Sequence, residues 1–521
     1  MYLGTLDYAV VAIYAVLLLV IAQWVSREKA GHKKDTSDYF LAGRALPWWA
    51  IGASLIAANI SAEQIIGMSG SAWVMGIAIG AYEWMAAITL VIVGKWLLPV
   101  FLKHQIYTMP QFLEQRYDHR VRMVMAFFWL GVYVFVNLTA ILWLGAQAVN
   151  TVTGLDIVWG LVALGLFASA YSLYGGLKAV ALTDIIQVAL LVLGGLFIAA
   201  IALDKVSGGE GIVAGFNVLL EKAPEKFDLI FSKDDPHYNY LPGISVLLGG
   251  MWIMNLSYWG FNQYIIQRAL AAKNVQEAQK GIMFAAYLKM LIPVIVVLPG
   301  VAAVMLAPEL EAPDKAYPTV MRLLPAGLLG LVFAALIAAI VSSLASMMNS
   351  ISTIFTMDFY RHHVNRGASE EQLVRVGRIV SFSAMVTAMI VARPLLGQFD
   401  QAFQYIQEFT GFFTPGVCAL FLMGIFWPRT TANGALGVAL GSAVFSLGFK
   451  LLWPSLPFID RVGLVFLMCI ATGVVISLIQ GAESHPDAID YEDVDTQTTT
   501  GFNLAAFVIV LMLIALYATW W

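Results

Sequence analysis

Residues 47–73 read PWWAIGASLIAANISAEQIIGMSGSAW. A run this long and apolar can cross a bilayer, which takes about 20 residues. Its middle is wrong for a plain spanning helix. Asn59, Ser61, Glu63 and Gln64 fall within six residues, and Gly52, Gly67 and Gly70 flank them. Polar groups at that depth are costly unless they face a cavity, a partner or a ligand. Non-helical backbone there is tolerated only under the same conditions. The stretch therefore predicts a discontinuous helix with freed carbonyls and amide side chains at a mid-membrane site. A continuous helix with a polar interhelical seam is the plainer reading.

The chain around this stretch is of one kind. Hydrophobic residues make up 60% of the 521 and charged residues 12%, against about 25% charged in soluble domains. Mean hydropathy is +0.80. These values predict an all-α polytopic membrane protein. Apolar runs predict about fourteen spans, at roughly 5–25, 47–73, 76–100, 121–151, 157–174, 179–204, 242–268, 276–306, 326–362, 372–394, 402–426, 431–450, 458–480 and 502–520. The first lacks a basic leader and a small-residue cleavage pattern, so it reads as a retained span. Cys418 and Cys469 both lie in apolar runs, which argues against a disulfide framework. A net charge of −4 offers no nucleic-acid footprint.

Alternating the spans collects 18 Lys/Arg on one side and 8 on the other, with Lys95, Lys289 and Lys450 inside spans. The positive-inside rule makes the richer side cytosolic, as expected for a plasma (inner) membrane protein. Both termini then lie on the extracytoplasmic side. The 205–241 connection is external, with room for a short surface helix. The acidic 481–501 connection reads as a mobile cytosolic linker.

A second interrupted span covers 242–268, with Gly249-Gly250 followed by Asn255, Ser257, Tyr258, Gly260, Asn262 and Gln263. It lies five spans after the first. An odd repeat length inverts membrane orientation, and paired interruptions at corresponding positions point to a transporter's central site. The chain then divides into a peripheral helix and linker (1–46), a first inverted repeat (47–204), the external loop (205–241), a second repeat (242–426) and peripheral helices (427–521).

Few ionisable groups lie deep. Glu83 falls about 10 Å into the third span and Lys289 about 20 Å into the eighth, at 1.5 Å per residue. Such groups mark function by default. Either they pair and fix helix packing, or each hydrogen-bonds a polar ligand. In the ninth span, Ser342, Ser343, Ser346 and Asn349 sit among small residues. Their oxygens suit a hard cation, although for this stretch taken alone small-residue packing, with serines bonded to their own backbone, is the favoured reading. Asp184 could attract or release a cation, or bond a neighbouring loop. There is no nucleotide loop, nucleophile elbow or metal-spaced His/Cys run, and all seven histidines fall in connections. Catalysis and a resident cofactor are therefore not expected.

The stretches at 38–64, 258–273 (YWGFNQYIIQRALAAK), 338–350 (AAIVSSLASMMNS) and 401–408 (QAFQYIQE) carry a resemblance. The chain resembles the sodium/solute symporter family, and within it the sugar-carrying members. The resemblance implies a five-plus-five inverted-repeat core of the kind found in amino-acid transporters. It implies Na⁺ coordination by carbonyls of Ala57, Ile60 and Ala339 and hydroxyls of Ser342 and Ser343. It assigns sugar contacts to Gln64, Glu83, Asn255, Lys289 and Gln407. Tyr258 would close the cytosolic side, held by Asn59, and Met68, Tyr82 and Phe403 would form the outer lid. Asp184 would mark an ion exit. The expected partners are a monosaccharide (galactose or glucose), Na⁺ and the bilayer, with the chain a monomer or homodimer. Two departures stand out. Ala86 replaces a serine one turn after the glutamate, and Ala345 replaces a hydroxyl found where two sodium ions bind. One Na⁺ per sugar is expected. Another solute on the same machine (an inositol, a sugar acid, proline or a vitamin), or a transporter-like sensor, is the rival reading.

Overall fold

The computed structural model describes residues 3–25, 41, 44–106, 108–397, 402–481, 483, 485, 487–491 and 493–521, with backbone alone at 22, 25 and 173–183. Most of the 26–46 connection therefore lies outside the described residues. Every one of the fourteen apolar stretches is helical. Nine helical segments among the described residues are long and apolar enough to cross a membrane unaided. The rest are shorter apolar helices, such as Thr5–Ile21 and Ile157–Ser172, or interrupted spans. The expected turn between the fifth and sixth spans lies within helical backbone that runs from Ile157 to Val206. Fifty helical residues would measure about 75 Å if straight, against a hydrocarbon core of about 30 Å. The apolar stretches Ile157–Ser172 and Asp184–Val206 are accordingly two spans joined through helical backbone.

Among the described residues, three spans are interrupted. The first breaks between Asn59 and Glu63. Helix Trp48–Asn59 ends at Ile60 (φ −72°, ψ 71°), and the chain resumes as a wide π-helical turn, Glu63–Met68, leading into Ser69–Met75. Ser61 initiates the second half by accepting a hydrogen bond from the Glu63 N–H at 3.2 Å. The second breaks at Asn262 (φ −87°, ψ 120°), between Gly250–Phe261 and Gln263–Leu270. There Tyr133 Oη accepts the freed N–H of Gln263 at 2.9 Å. The third was not anticipated. Ala402–Thr410 and Thr414–Phe426 meet at 44°. Gly411 and Pro415 were its signal, because Pro415 has no N–H to continue the helix.

Helix Leu328–Thr353 is buried along almost its whole length. Outer helices Ala432–Leu452, Phe458–Ile479 and Thr500–Thr519 turn Leu447, Leu467 and Leu504 outward. Leu229 donates its N–H to Trp520 O at 2.9 Å, so the 205–241 connection and the last helix end on one face. That connection does contain a surface helix, Ile212–Lys222. The 481–501 connection corrects the linker expectation. Ile489 and Val494 are buried, Lys103 Nζ donates to Asp493 O at 2.9 Å, and His485 N donates to Pro428 O at 2.9 Å. Its apolar residues dock it where charge content alone predicts solvation. Both cysteines are free and buried.

Without water to drive association, membrane helices gain from close backbone approach at small residues. Gly52 and Gly281 make one such crossing. A Cβ built on Gly281 would lie 2.8 Å from Ile51 Cβ and from Trp48 O; one on Gly52 would lie 2.7 Å from Gly281 O. Gly281→Ala is therefore expected to cost about 1–3 kcal/mol by overpacking. Gly448, with nothing within 4 Å of a built Cβ, is the control, since Gly→Ala in an open helix gains up to about 1 kcal/mol. Thermal unfolding in detergent should show a lower midpoint for Gly281→Ala and none for Gly448→Ala.

Candidate functional site

The interruptions place polar side chains around a cavity of about 90 Å³ between the first, second and third broken helices. Its lining includes all five residues expected to contact solute, Gln64, Glu83, Asn255, Lys289 and Gln407. It also includes all five expected gate residues, Asn59, Tyr258, Met68, Tyr82 and Phe403, and Ala86. The wide turn at Glu63–Met68 explains part of this convergence. A π-helical turn shifts side-chain phase and splays the chain, and such turns recur at functional sites. It directs Glu63, Gln64 and Met68 into one space.

Two chains of hydrogen bonds organise the cavity. Lys289 is buried and donates to both Glu83 Oε2 and Asn59 Oδ1, with its ammonium 4.9 Å above the Trp259 ring. Asn59 Nδ2 donates to Tyr258 Oη at 2.9 Å, and the Tyr258 and Tyr264 hydroxyls bond each other. On another wall Gln407 Nε2 donates to Glu63 Oε1 at 3.2 Å. Tyr82 meets Phe403 edge-on, with ring centroids 5.3 Å apart, and the buried Tyr82 hydroxyl has no hydrogen-bond partner among the described residues. Asn255 spends its amide N–H on Met251 O at 3.1 Å within its own helix, leaving its carbonyl oxygen as the group to offer.

Sequence reasoning placed no role on Glu63, Trp259, Asn137, Asn262, Thr410 or Thr414, which also line the cavity. Glu63 stood in the first interrupted stretch beside Gln64 and was the readable one. Thr410 and Thr414 flank the unanticipated third break and were hidden with it.

At the first break the carbonyls of Ala57 and Ala58 lose their helical N–H partners. Ser343 Oγ donates to both, at 3.3 and 2.9 Å. Ala339 lies one turn earlier on the same helix face as Ser343. Ile60 N–H turns back to Ile56 O at 2.7 Å. Ser342 goes elsewhere. Adjacent helical residues point about 100° apart, and Ser342 Oγ donates to Asp184 Oδ1. Asp184 is fully buried, accepts from Ser54 Oγ at 2.6 Å, and lies 3.9 Å from the buried Arg268 guanidinium. The alternative in which Asp184 bonds a neighbouring loop is thereby corrected: its partners are side chains of three spans. Arg268 also donates to Ser346 Oγ and, at 2.7 Å, to Ser54 Oγ. It was visible in the sequence but assigned no part.

Comparison with known proteins agrees with this geometry. The pattern described as "Sodium:solute symporter family" matches residues 39–441. The chain is 48% identical to a Vibrio parahaemolyticus sodium/glucose cotransporter, covering 100% of this chain and 99% of the relative. It is 34% identical to Mus musculus sodium/myo-inositol cotransporter 2, covering 85% of this chain and 70% of the relative. Among solved structures, a substrate-bound, outward-open Na⁺-coupled sialic acid symporter superposes with a TM-score of 0.79 at 24% identity, covering 91% of this chain and 98% of that one. A nucleobase-cation symport transporter in a closed conformation gives 0.56 at 14% identity, covering 89% and 100%. The fold is thus the broken-helix, inverted-repeat transporter fold, and the chain belongs to the sodium:solute symporter family, membrane transporters that couple movement of a small solute to Na⁺.

Proposed function

We propose that this chain imports a monosaccharide, galactose or glucose, with one Na⁺ per sugar, by alternating access. The observation that carries the reading is the cavity between the broken helices. Carboxylates, an ammonium and amides suit a ring of hydroxyls, while Tyr258, Trp259 and Tyr82 offer aromatic faces to its C–H surface. The full-length likeness to a sodium/glucose cotransporter supports the same solute class. The myo-inositol relatives carry another ring of hydroxyls, so a cyclic polyol is the second reading. The excess of Lys/Arg supports an inner-membrane orientation with both termini outside.

In this reading Na⁺ binds where Ser343 meets the carbonyls of Ala57 and Ala58, with Ile60 and Ala339 as further ligands; Ser342 joins them only by turning away from Asp184, to which it donates here. Asn59 lies two residues from Ala57 and holds Tyr258. Ion occupancy would thereby be transmitted to the cytosolic gate through one turn of half-helix. Loss of Na⁺ toward Asp184 would loosen Asn59 and release Tyr258. Met68, Tyr82 and Phe403 close the outer side over the sugar.

Transport should require Na⁺, and neither K⁺ nor choline should replace it. Ser343→Ala should raise the Na⁺ concentration for half-maximal uptake while leaving the order of sugar preference unchanged. Equal uptake by proteoliposomes in choline buffer would refute the coupling.

Removing single contacts should weaken sugar binding in a set order. A hydrogen bond to a neutral partner contributes about 0.5–1.5 kcal/mol and one to a charged group about 1.5–3. Gln64→Ala and Gln407→Ala should cost about 3- to 10-fold in affinity and Glu83→Gln about 10- to 100-fold. Competition against labelled sugar measures this, and unchanged affinity in all three would place the pocket elsewhere.

Ala86 lines the cavity three residues after Glu83, on nearly the same helix face. Ala86→Ser should raise galactose affinity by up to about tenfold, the value of one good neutral hydrogen bond. Singly deoxygenated galactoses identify the contact. The analogue lacking the hydroxyl that faces position 86 should gain nothing, and an equal shift for every analogue would show that Ala86 does not face the sugar.

A further inference from the structure

Sequence spacing gave no metal-binding run, yet the fold assembles one candidate set far from the cavity. Glu114 lies in the last turn of helix Met109–Arg116, His119 opens helix His119–Val132, and His362 lies in the last turn of the segment Leu328–Val364. His119 Nδ1 lies 3.3 Å and His362 Nε2 3.4 Å from the same oxygen, Glu114 Oε1. All three ligand atoms fall within 4.8 Å of one another. A tetrahedral zinc ion with bonds of about 2.0–2.1 Å has ligand–ligand edges of about 3.3–3.4 Å. Two of the three edges already have that length. The side chains are partly exposed, at 26% for Glu114, 41% for His119 and 38% for His362, so an ion has access and a fourth position stays open to water.

The surroundings favour this set. The other Glu114 oxygen, Oε2, accepts from Arg122 Nη1. Such outer partners orient a ligating carboxylate and leave the facing oxygen for the metal. The Arg122 charge is itself matched, because its guanidinium also pairs with buried Asp358 at 2.7 Å. His363 stands beside His119, ring centroids 4.8 Å apart, with its Nε2 3.1 Å from Met123 Sδ. Two imidazoles select borderline transition metals over Ca²⁺ and Mg²⁺, which take oxygen ligands.

We propose that Glu114, His119 and His362 form a binding site for Zn²⁺ or a similar borderline divalent cation. Bound there, the ion clamps the connection between the third and fourth spans to the end of the span that carries Ser342 and Ser343. The site is independent of the solute transported.

The test uses untagged, chelator-stripped protein in detergent, titrated with Zn²⁺ by calorimetry. One Zn²⁺ per chain is expected. His119→Ala and His362→Ala should each weaken binding at least tenfold, His237→Ala in the external loop should not, and excess Ca²⁺ should not compete. A second measurement needs no variant: Zn²⁺ should protect His119 and His362 of the parent protein from diethyl pyrocarbonate, read by peptide mass spectrometry, while His237 reacts as before. Absence of Zn²⁺ binding, binding unchanged in both variants, or modification of His119 and His362 unaffected by Zn²⁺ would overturn the assignment.

Discussion

A carbonyl released from a helix inside a bilayer has no water to turn to, and each unsatisfied group there costs several kcal/mol. That constraint governs the first broken helix, and the rest of the core follows from it. Ile60 and Ser61 leave helical geometry, so the carbonyls at the end of the first half-helix must find other donors. The Ser343 hydroxyl supplies them from the buried helix Leu328–Thr353. Helix 328–353 therefore has to lie against the break, and its small residues allow the approach. The same demand is met differently at the second break, where Tyr133 accepts the Gln263 N–H and donates to Asn262 Oδ1. Each of these two interruptions is thus tied to a particular neighbour.

Buried charge adds a second constraint. Removing one partner of a buried pair leaves an uncompensated ion and costs about 3–5 kcal/mol. Two such clusters stand side by side along the first broken helix. Lys289 is held between Glu83 and Asn59. Arg268 is held among Ser54, Ser346 and Asp184. Asn59 and Ser54 both belong to helix Trp48–Asn59, so one short half-helix contacts both cations. A shift of that half-helix would disturb both clusters and the Ala57–Ser343 contact together. This shared dependence is the physical basis for joining ion and solute in one reading.

Much of this was legible in the sequence, because the bilayer leaves few options. Apolar runs of about 20 residues must be helices, and polar residues with glycines in the middle of such a run must mark a break or a seam. Composition, the fourteen helical stretches and two of the three interruptions followed from that alone. The family resemblance carried the ten cavity residues, from Asn59 to Gln407, which the fold gathers into one space. The third interruption was missed because Gly411 and Pro415 sit near the end of an otherwise apolar run. The 481–501 connection was misread because net charge outweighed two apolar anchors, Ile489 and Val494.

What the sequence by itself determined is membership of a class: an all-helical membrane transporter with polar breaks at mid-depth. Hydropathy and helix periodicity are local properties, so they survive without a structure. Only the tertiary structure decided partners. Lys289 meets Glu83 across 206 positions, Arg268 meets Asp184, and Glu63 receives Gln407 across 344. It also separated neighbours, sending Ser343 to the break and Ser342 to Asp184, because a helix turns about 100° per residue. His119 and His362 share one carboxylate oxygen although 243 positions divide them. No spacing rule finds such a pair, since side-chain proximity between spans is set by packing and not by distance along the chain.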